Sequence, residues 1–161
     1  MIAGAIDMSL TMSAINVRSV DPTEAWSALQ SRADALLVDV RTSAEWTYVG
    51  LPKLDALSKT PILVEWQIYP SMAINPSFVS TLSAKLSKVG ANFSTPLYVI
   101  CRSGVRSKAA AEVLIDAGWT NSVNIAGGFE GDVDAEGRRG TVGGWKVSGL
   151  PWSQSQSIQN W

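Results

Sequence analysis

The sequence predicts an α/β fold, with helices packed against a central, mostly parallel sheet. Three observations lead there. The runs 35–40 and 96–100 are short and almost continuously apolar, as strands covered on both faces are. Amphipathic stretches at helical spacing alternate with such runs, the pattern of β-α units. The chain has 161 residues, of which 46% are hydrophobic and 17% charged, and this suits one packed domain that needs no metal or disulfide to hold its core.

Ile15 and Val17 alternate with Asn16 and Arg18 and predict an edge strand. Asp21-Pro22 then gives an N-cap followed by proline at the first helical position. The helix it opens carries Ala25, Trp26 and Leu29 on one face. A strand is expected over 35–40. Thr42 and Glu45 stand at capping-box spacing and predict a short helix after it. Residues 61–64 predict another strand. Asn75-Pro76 again combines cap and proline, and Phe78, Val79, Leu82 and Leu86 follow at helical spacing. Residues 96–100 form the second buried-strand signal and run straight into Cys101-Arg102-Ser103-Gly104-Val105-Arg106-Ser107. A helix is expected over 108–116, with Ser107 as its N-cap and Gly118 closing it. Its packed face would hold Ala109, Ala110, Val113 and Leu114. Residues 122–125 predict a last strand, ended by Gly127-Gly128. The glycine-rich, charged stretch 130–144 reads as a solvated surface insertion; were it to cover the site, Arg138 and Arg139 would face an anion. The polar stretch 153–161 is expected to be a disordered tail. The seven tryptophans are too widely spaced for a ligand platform; Trp145 and Trp152 are expected to pin the C-terminal segment, and Trp46 and Trp66 are the candidates for the mouth of a site.

Charge and composition exclude several chemistries. The formal net charge is −1, so no global basic field draws in nucleic acid or anionic membranes. One cysteine cannot close an internal disulfide. There is no histidine, which removes histidine metal sites and any Ser-His or Cys-His pair. Neither a metal nor an organic cofactor is expected. Residues 1–7 lack a cationic n-region, and Asp7 interrupts their apolar run, so they read as a mature N-terminus rather than a signal peptide. No run approaches the ~18–20 apolar residues of a spanning helix, and a soluble, cytoplasmic protein is expected.

The informative feature is Cys101, placed where a buried strand gives way to a Gly/Ser/Arg loop and then a helix. Open α/β sheets bind ligands beyond the carboxyl ends of their strands. A loop entering a helix gathers backbone N–H groups at one point and stabilises an anion, including a thiolate. Arg102 and Arg106 add positive charge, and Arg106 is a candidate for bidentate anion binding. Gly104 permits the curl of the loop. A lone cysteine is more often a small core hydrophobe, but this one follows the apolar run and stands beside two arginines.

The segment Cys101 to Ser107 resembles the active-site loop of rhodanese-family sulfurtransferases. Val38-Asp39-Val40-Arg41 with Glu45-Trp46 is similar to the upstream signature of that family. Gly118-Trp119, Val123-Asn124-Ile125-Ala126-Gly127-Gly128-Phe129, and Trp145 before Gly149-Leu150-Pro151 are similar to its closing segment. The resemblance covers about residues 14–152 in the usual order, leaving 1–13 as an N-terminal extension. It implies a three-layer fold around a five-stranded sheet, and sulfane-sulfur transfer through a persulfide on Cys101. The donor would be a small anion such as thiosulfate, and the acceptor cyanide, a thiol or a protein. The loop residues Arg102, Ser103, Gly104, Val105, Arg106 and Ser107 would bind substrate. Asp39, Arg41 and Glu45 would support the loop, either as a salt-bridge network or by direct contact. One departure is Val49-Gly50-Leu51-Pro52, which stands where many relatives carry a histidine.

The sequence leaves two rival readings. Phosphatases and arsenate reductases of related fold use C-x5-R to surround a tetrahedral anion, whereas Cys101 to Arg106 is C-x4-R, which favours sulfur. A non-catalytic binding module of the same fold commonly lacks the cysteine, which is intact here. A relay serving one protein partner is not separable by sequence from a general thiosulfate sulfurtransferase.

Overall fold

The computed structural model describes residues 15–154. The expected N-terminal extension 1–13 and residues 155–161 of the polar tail lie outside the described residues. A five-stranded parallel sheet forms the centre, in the order β1-β8-β7-β2-β4. Its members are β1 (Ser19–Val20), β2 (Leu36–Asp39), β4 (Ile62–Leu63), β7 (Leu97–Ile100) and β8 (Ser122–Ile125). Two small antiparallel pairs lie outside it. They join β3 (Leu51–Pro52) to β9 (Trp152–Ser153) and β5 (Gln67–Ile68) to β6 (Ala73–Ile74). The helices are α1 (Pro22–Ser31), α2 (Ser43–Tyr48), α3 (Phe78–Lys88) and α4 (Val105–Asp116), with a 3-10 turn at Asp55–Leu57.

Alternation along the central strands divides the core. Leu97 and Val99 of β7 and Val38 of β2 pack with Phe78, Leu82 and Leu86 of α3 and Ala110, Ala111 and Leu114 of α4. Tyr98, Ile100 and Leu37 face the opposite way and pack with Ala25 and Leu29 of α1, and with Phe129 and Trp145. The sheet is thus covered on both faces, which is why its inner strands β2 and β7 read as nearly continuous apolar runs. The structure is the expected three-layer α/β arrangement. No helix among the described residues is long and apolar enough to cross a membrane.

Local chemistry explains the helix starts. Asp21 caps α1 by accepting from Glu24 N at 2.8 Å, with Pro22 in the first turn. Thr42 and Glu45 close the predicted capping box on α2. Four expectations need correction. The edge strand lies at Ser19–Val20, not at Ile15 and Val17, because the chain reaches β8 only where Ser19 pairs with Asn124. Asn75 does not cap α3. Its amide joins Glu65 O and Ser77 N in the preceding turn, and the helix begins at Phe78 after Ser77. Helix α4 begins at Val105, three residues before the expected start, with Gly104 at the N-cap at φ +110°. Ser107 is therefore inside the first turn rather than at the cap. The buried face of α4 accordingly runs through Ser107, Ala110, Ala111 and Leu114, leaving Val113 exposed.

The C-terminal segment is pinned as expected: Trp145 is fully buried and its Nε1 donates to Pro151 O at 2.7 Å. Residues 130–144 contain no helix or strand, but they are anchored. Asp134 accepts from Glu136 N, Arg138 N and Thr141 Oγ1, which draws its carboxyl below the usual range.

Candidate functional site

Cys101 follows β7, the middle strand of the sheet, and opens the loop into α4. The parallel strands β2, β7 and β8 bring three segments to one end: 39–45, 101–107 and 126–131. Two contacts hold the Cys101 sulfur. Gly104 N donates to Sγ at 3.1 Å, and Ser107 Oγ lies 3.1 Å from the same atom. Gly104 itself stands at φ +110°, the conformation from which the chain after it enters α4. Ser107 also donates to Asn124 Oδ1 at 2.6 Å.

The loop is clamped from behind by the turn after β8. Phe129 N donates to Cys101 O at 2.8 Å, and Glu130 N and Gly131 N both donate to Arg102 O. Gly128 makes this approach feasible. A Cβ on it would stand 2.5 Å from Cys101 O and 2.6 Å from the Arg102 carbonyl, at φ +61°. Gly128 thus sets how near the two segments come.

Two ion pairs flank the loop, in different surroundings. Asp39 and Arg41 are fully buried and joined at 2.7 Å, with Arg41 Nη2 also donating to Gly50 O. The Arg41 guanidinium lies 4.2 Å from the Phe129 ring centroid. Neither residue lines a cavity with Cys101, so these two sit behind the site and brace it. Glu45 and Arg106 pair at the rim, Nη1 to Oε2 and Nη2 to Oε1, each 2.8 Å. Burial alone would raise the Glu45 carboxyl. Hydrogen bonds from Arg106 and from the Thr42 amide outweigh it and bring it down to about 2. Burial likewise works against the Arg106 charge, but Glu45, with Cys101 and Asp39 behind it, moves its pKa upward.

In front of Cys101 lies a cavity of about 850 Å3. Cys101, Arg102, Ser103, Val105 and Arg106 form one wall, and Thr42, Glu45, Tyr48 and Val49 another. Tyr69 and Met72 reach in from the β5–β6 hairpin, and Glu130 and Arg139 from the 130–144 segment. Arg102 and Arg139 take part in no ion pair among the described residues; Arg139 donates only to Gly131 O. Arg138 is not among the lining residues, nor are Trp46 and Trp66, which are buried. Their chain neighbours Tyr48 and Gln67 form the mouth instead. Val105 and Tyr48 stand 78% and 79% exposed at the lip, an apolar edge to a cation-bearing cavity.

The structure thus gathers Cys101, Arg102, Ser103, Gly104, Val105, Arg106, Ser107 and Glu45 at one place and sets Asp39 and Arg41 behind it. Sequence reasoning missed Asn124, and it expected Trp46 and Trp66 at the mouth where Tyr48 and Tyr69 stand. A polar residue inside a buried strand was the available signal for Asn124. No group of three or more His, Cys, Asp or Glu among the described residues could hold a metal ion.

Comparison with known proteins agrees with this fold. The crystal structure of Rv0390 from M. tuberculosis matches with a TM-score of 0.77 at 40% identity, over 86% of this chain and 98% of that one. The uncharacterized protein RC0915 of Rickettsia conorii is 36% identical over 86% of this chain and 98% of its own length. Rhodanese-like domain-containing protein 11, chloroplastic, of Arabidopsis thaliana is 31% identical, and the match spans 89% of this chain and 56% of that protein. Thiosulfate sulfurtransferase GlpE of Haemophilus influenzae is 29% identical over 76% of this chain and 93% of its own. The fold is rhodanese-like. With residues 17–158 matching the family described as the STR4 middle domain, the chain belongs to that family.

Proposed function

We propose that the protein is a sulfurtransferase that carries sulfane sulfur as a persulfide on Cys101. The observation that carries this reading is the position of Sγ. It accepts an amide hydrogen bond at the end of the central strand and lies on the wall of a cavity that holds two arginines free of ion pairs. The likeness to a thiosulfate sulfurtransferase supports the same reading.

The chemistry is a two-step displacement. The Cys101 thiolate attacks the outer sulfur of thiosulfate. The S–S bond to the sulfonate breaks, sulfite leaves with the electron pair, and Cys101 becomes a persulfide anion. A nucleophilic acceptor, such as cyanide or a thiolate, then attacks the outer sulfur and releases the Cys101 thiolate. Arg102 and Arg139 hold the donor. The Arg106 fork is already engaged by Glu45, so its part is to tie α4 to α2 and keep the loop shaped. The cavity is much larger than thiosulfate, and its apolar lip suits an acceptor bulkier than cyanide.

The test is intact-protein mass after the cysteine has been reduced, the reductant removed and thiosulfate added, then again after cyanide. The wild-type chain gains one sulfur atom and loses it as thiocyanate. Cys101→Ser does neither, because its hydroxyl holds no sulfane sulfur. Retained turnover in the serine variant overturns the mechanism.

A further inference from the structure

A hydrogen-bonded chain runs inward from the reactive sulfur. Cys101 Sγ lies 3.1 Å from Ser107 Oγ, Ser107 Oγ donates to Asn124 Oδ1 at 2.6 Å, and Asn124 Nδ2 donates to Ser19 Oγ at 3.2 Å. Cys101, Ser107 and Asn124 are buried, and only Ser19, on the outermost strand, reaches solvent. Water therefore does not substitute for a missing partner along most of the chain.

Counting hydrogens shows what the chain does. The Ser107 hydroxyl has one proton. With Cys101 as a thiol, S–H donates to Ser107, Ser107 donates to Asn124, and every donor meets an acceptor. As a thiolate, the sulfur only accepts. Ser107 must then turn its proton toward Sγ, which leaves its oxygen facing Asn124 Oδ1 across 2.6 Å with no proton between them. Half a turn of the Asn124 amide restores the bond. Nδ2 then donates to Ser107, and Oδ1 accepts from the Ser19 hydroxyl.

We propose that Asn124 is a positioning residue for the sulfur. The end of its amide that faces Ser107 decides whether the Ser107 hydroxyl is free to donate to Cys101. In the proposed transfer reaction, on which this inference rests, the same donor would stabilise the thiolate released when the acceptor takes the sulfur. The charged groups around the cysteine are Arg106 of α4, Glu45 of α2, Arg102 of the loop, and Glu130 and Arg139 of the 130–144 segment, with Asp39 and Arg41 behind. Replacing Asn124 by a neutral residue changes none of them.

The experiment follows the rate of Cys101 alkylation by iodoacetamide against pH in the intact protein. In Asn124→Leu, which keeps the number and branching of the side-chain heavy atoms, the Ser107 proton loses its acceptor and turns to the sulfur. The midpoint moves to lower pH, with alkylation up to roughly tenfold faster below the wild-type midpoint. In Asn124→Asp the carboxylate only accepts, so the proton stays away from the sulfur and the midpoint moves to higher pH; its charge also repels the thiolate directly, so the hydroxyl's share is the part of the shift that Ser107→Ala removes. In a Ser107→Ala background, Asn124→Leu has no effect, because the connecting hydroxyl is gone. Equal shifts for Leu and Asp, no shift, or a Leu effect that persists without Ser107 overturns the proposal. Folding of each variant is read from its tryptophan fluorescence. Alkylation needs no sulfur donor, so failure of wild-type persulfide formation would overturn the proposed function and leave this result standing or falling by itself.

Discussion

The Glu45–Arg106 pair makes a quantitative prediction about acid stability. The Glu45 carboxyl lies at about 2 in the folded protein against 4.5 for the free group. A difference of about 2.5 units corresponds to about 3 kcal/mol if fully realised. Side-chain exposures of 17% for Glu45 and 14% for Arg106 admit some solvent screening, which brings the expected value to about 2 kcal/mol. The folded value is depressed, so the contribution is present above the free value of 4.5 and is lost as pH falls from there toward 2. Glu45→Gln keeps the shape and an oxygen for Thr42 but removes the charge. At pH 6.5 the variant should unfold at lower urea, about 2 kcal/mol less stable, or ~4–8 °C lower in Tm for a domain of this size. Between roughly pH 5 and 2.5 the two proteins should converge, because the wild type loses what the variant never had. Urea titrations followed by tryptophan fluorescence at several pH values measure the gap directly. A gap that is absent at pH 6.5, or that stays constant down to pH 2.5, would refute the assignment of Glu45 as an ionised, paired rim carboxylate.

Three further outcomes follow from the same geometry. Arg41→Met leaves the Asp39 carboxylate buried without its partner and should cost about 3–5 kcal/mol, whereas Asp39→Leu combined with Arg41→Met should recover most of that; equal losses in the single and double variants would contradict the pairing. Gly128→Ala forces the 126–131 turn away from the Cys101 and Arg102 carbonyls, so stability should fall by about 2 kcal/mol and sulfur transfer at least about tenfold, and an unaffected rate would show that the loop tolerates displacement. Arg102→Ala should raise the KM for thiosulfate about tenfold with little change in Tm, and the increase should shrink at high ionic strength; an unchanged KM removes Arg102 from the donor site.

The sheet was legible where it is most buried. Leu36–Asp39 and Leu97–Ile100 are covered on both faces, so burial wrote a largely apolar run into each, whereas Ser122–Ile125 is equally buried but carries Ser122 and Asn124. Caps with a strict side-chain geometry, Asp21 and the Thr42–Glu45 box, were equally visible. The paired segments β3, β5, β6 and β9 were not, since two residues carry no period to read. The start of α4 was misplaced for a more instructive reason. Ser107 has the right chemistry for an N-cap, but its hydroxyl is already engaged by Cys101 and Asn124, and Gly104 caps the helix through backbone conformation alone. Identity of a residue says which bonds it is able to make, and only the fold says which it does make. Likewise Arg106 reads as a free anion clamp in sequence, and the 61-residue separation from Glu45 hides the partner that takes up its fork.

That engagement also bears on how the site would bind its donor. The cavity presents three arginines and two glutamates, so its excess of positive charge is small, and the Glu45–Arg106 pair is largely neutral as a unit. A doubly charged donor approaching a thiolate therefore depends on where the two unpaired guanidiniums stand rather than on a broad field. One comes from the loop beside Cys101 and the other from the 130–144 segment. Arg139 is held there by its bond to Gly131 O, and Gly131 N in turn is bonded to Arg102 O. The Arg139 guanidinium is thus tied through a single glycine to the backbone of the cysteine loop at Arg102. A change in the 130–144 segment that moved Arg139 would alter donor binding without touching the cysteine loop itself.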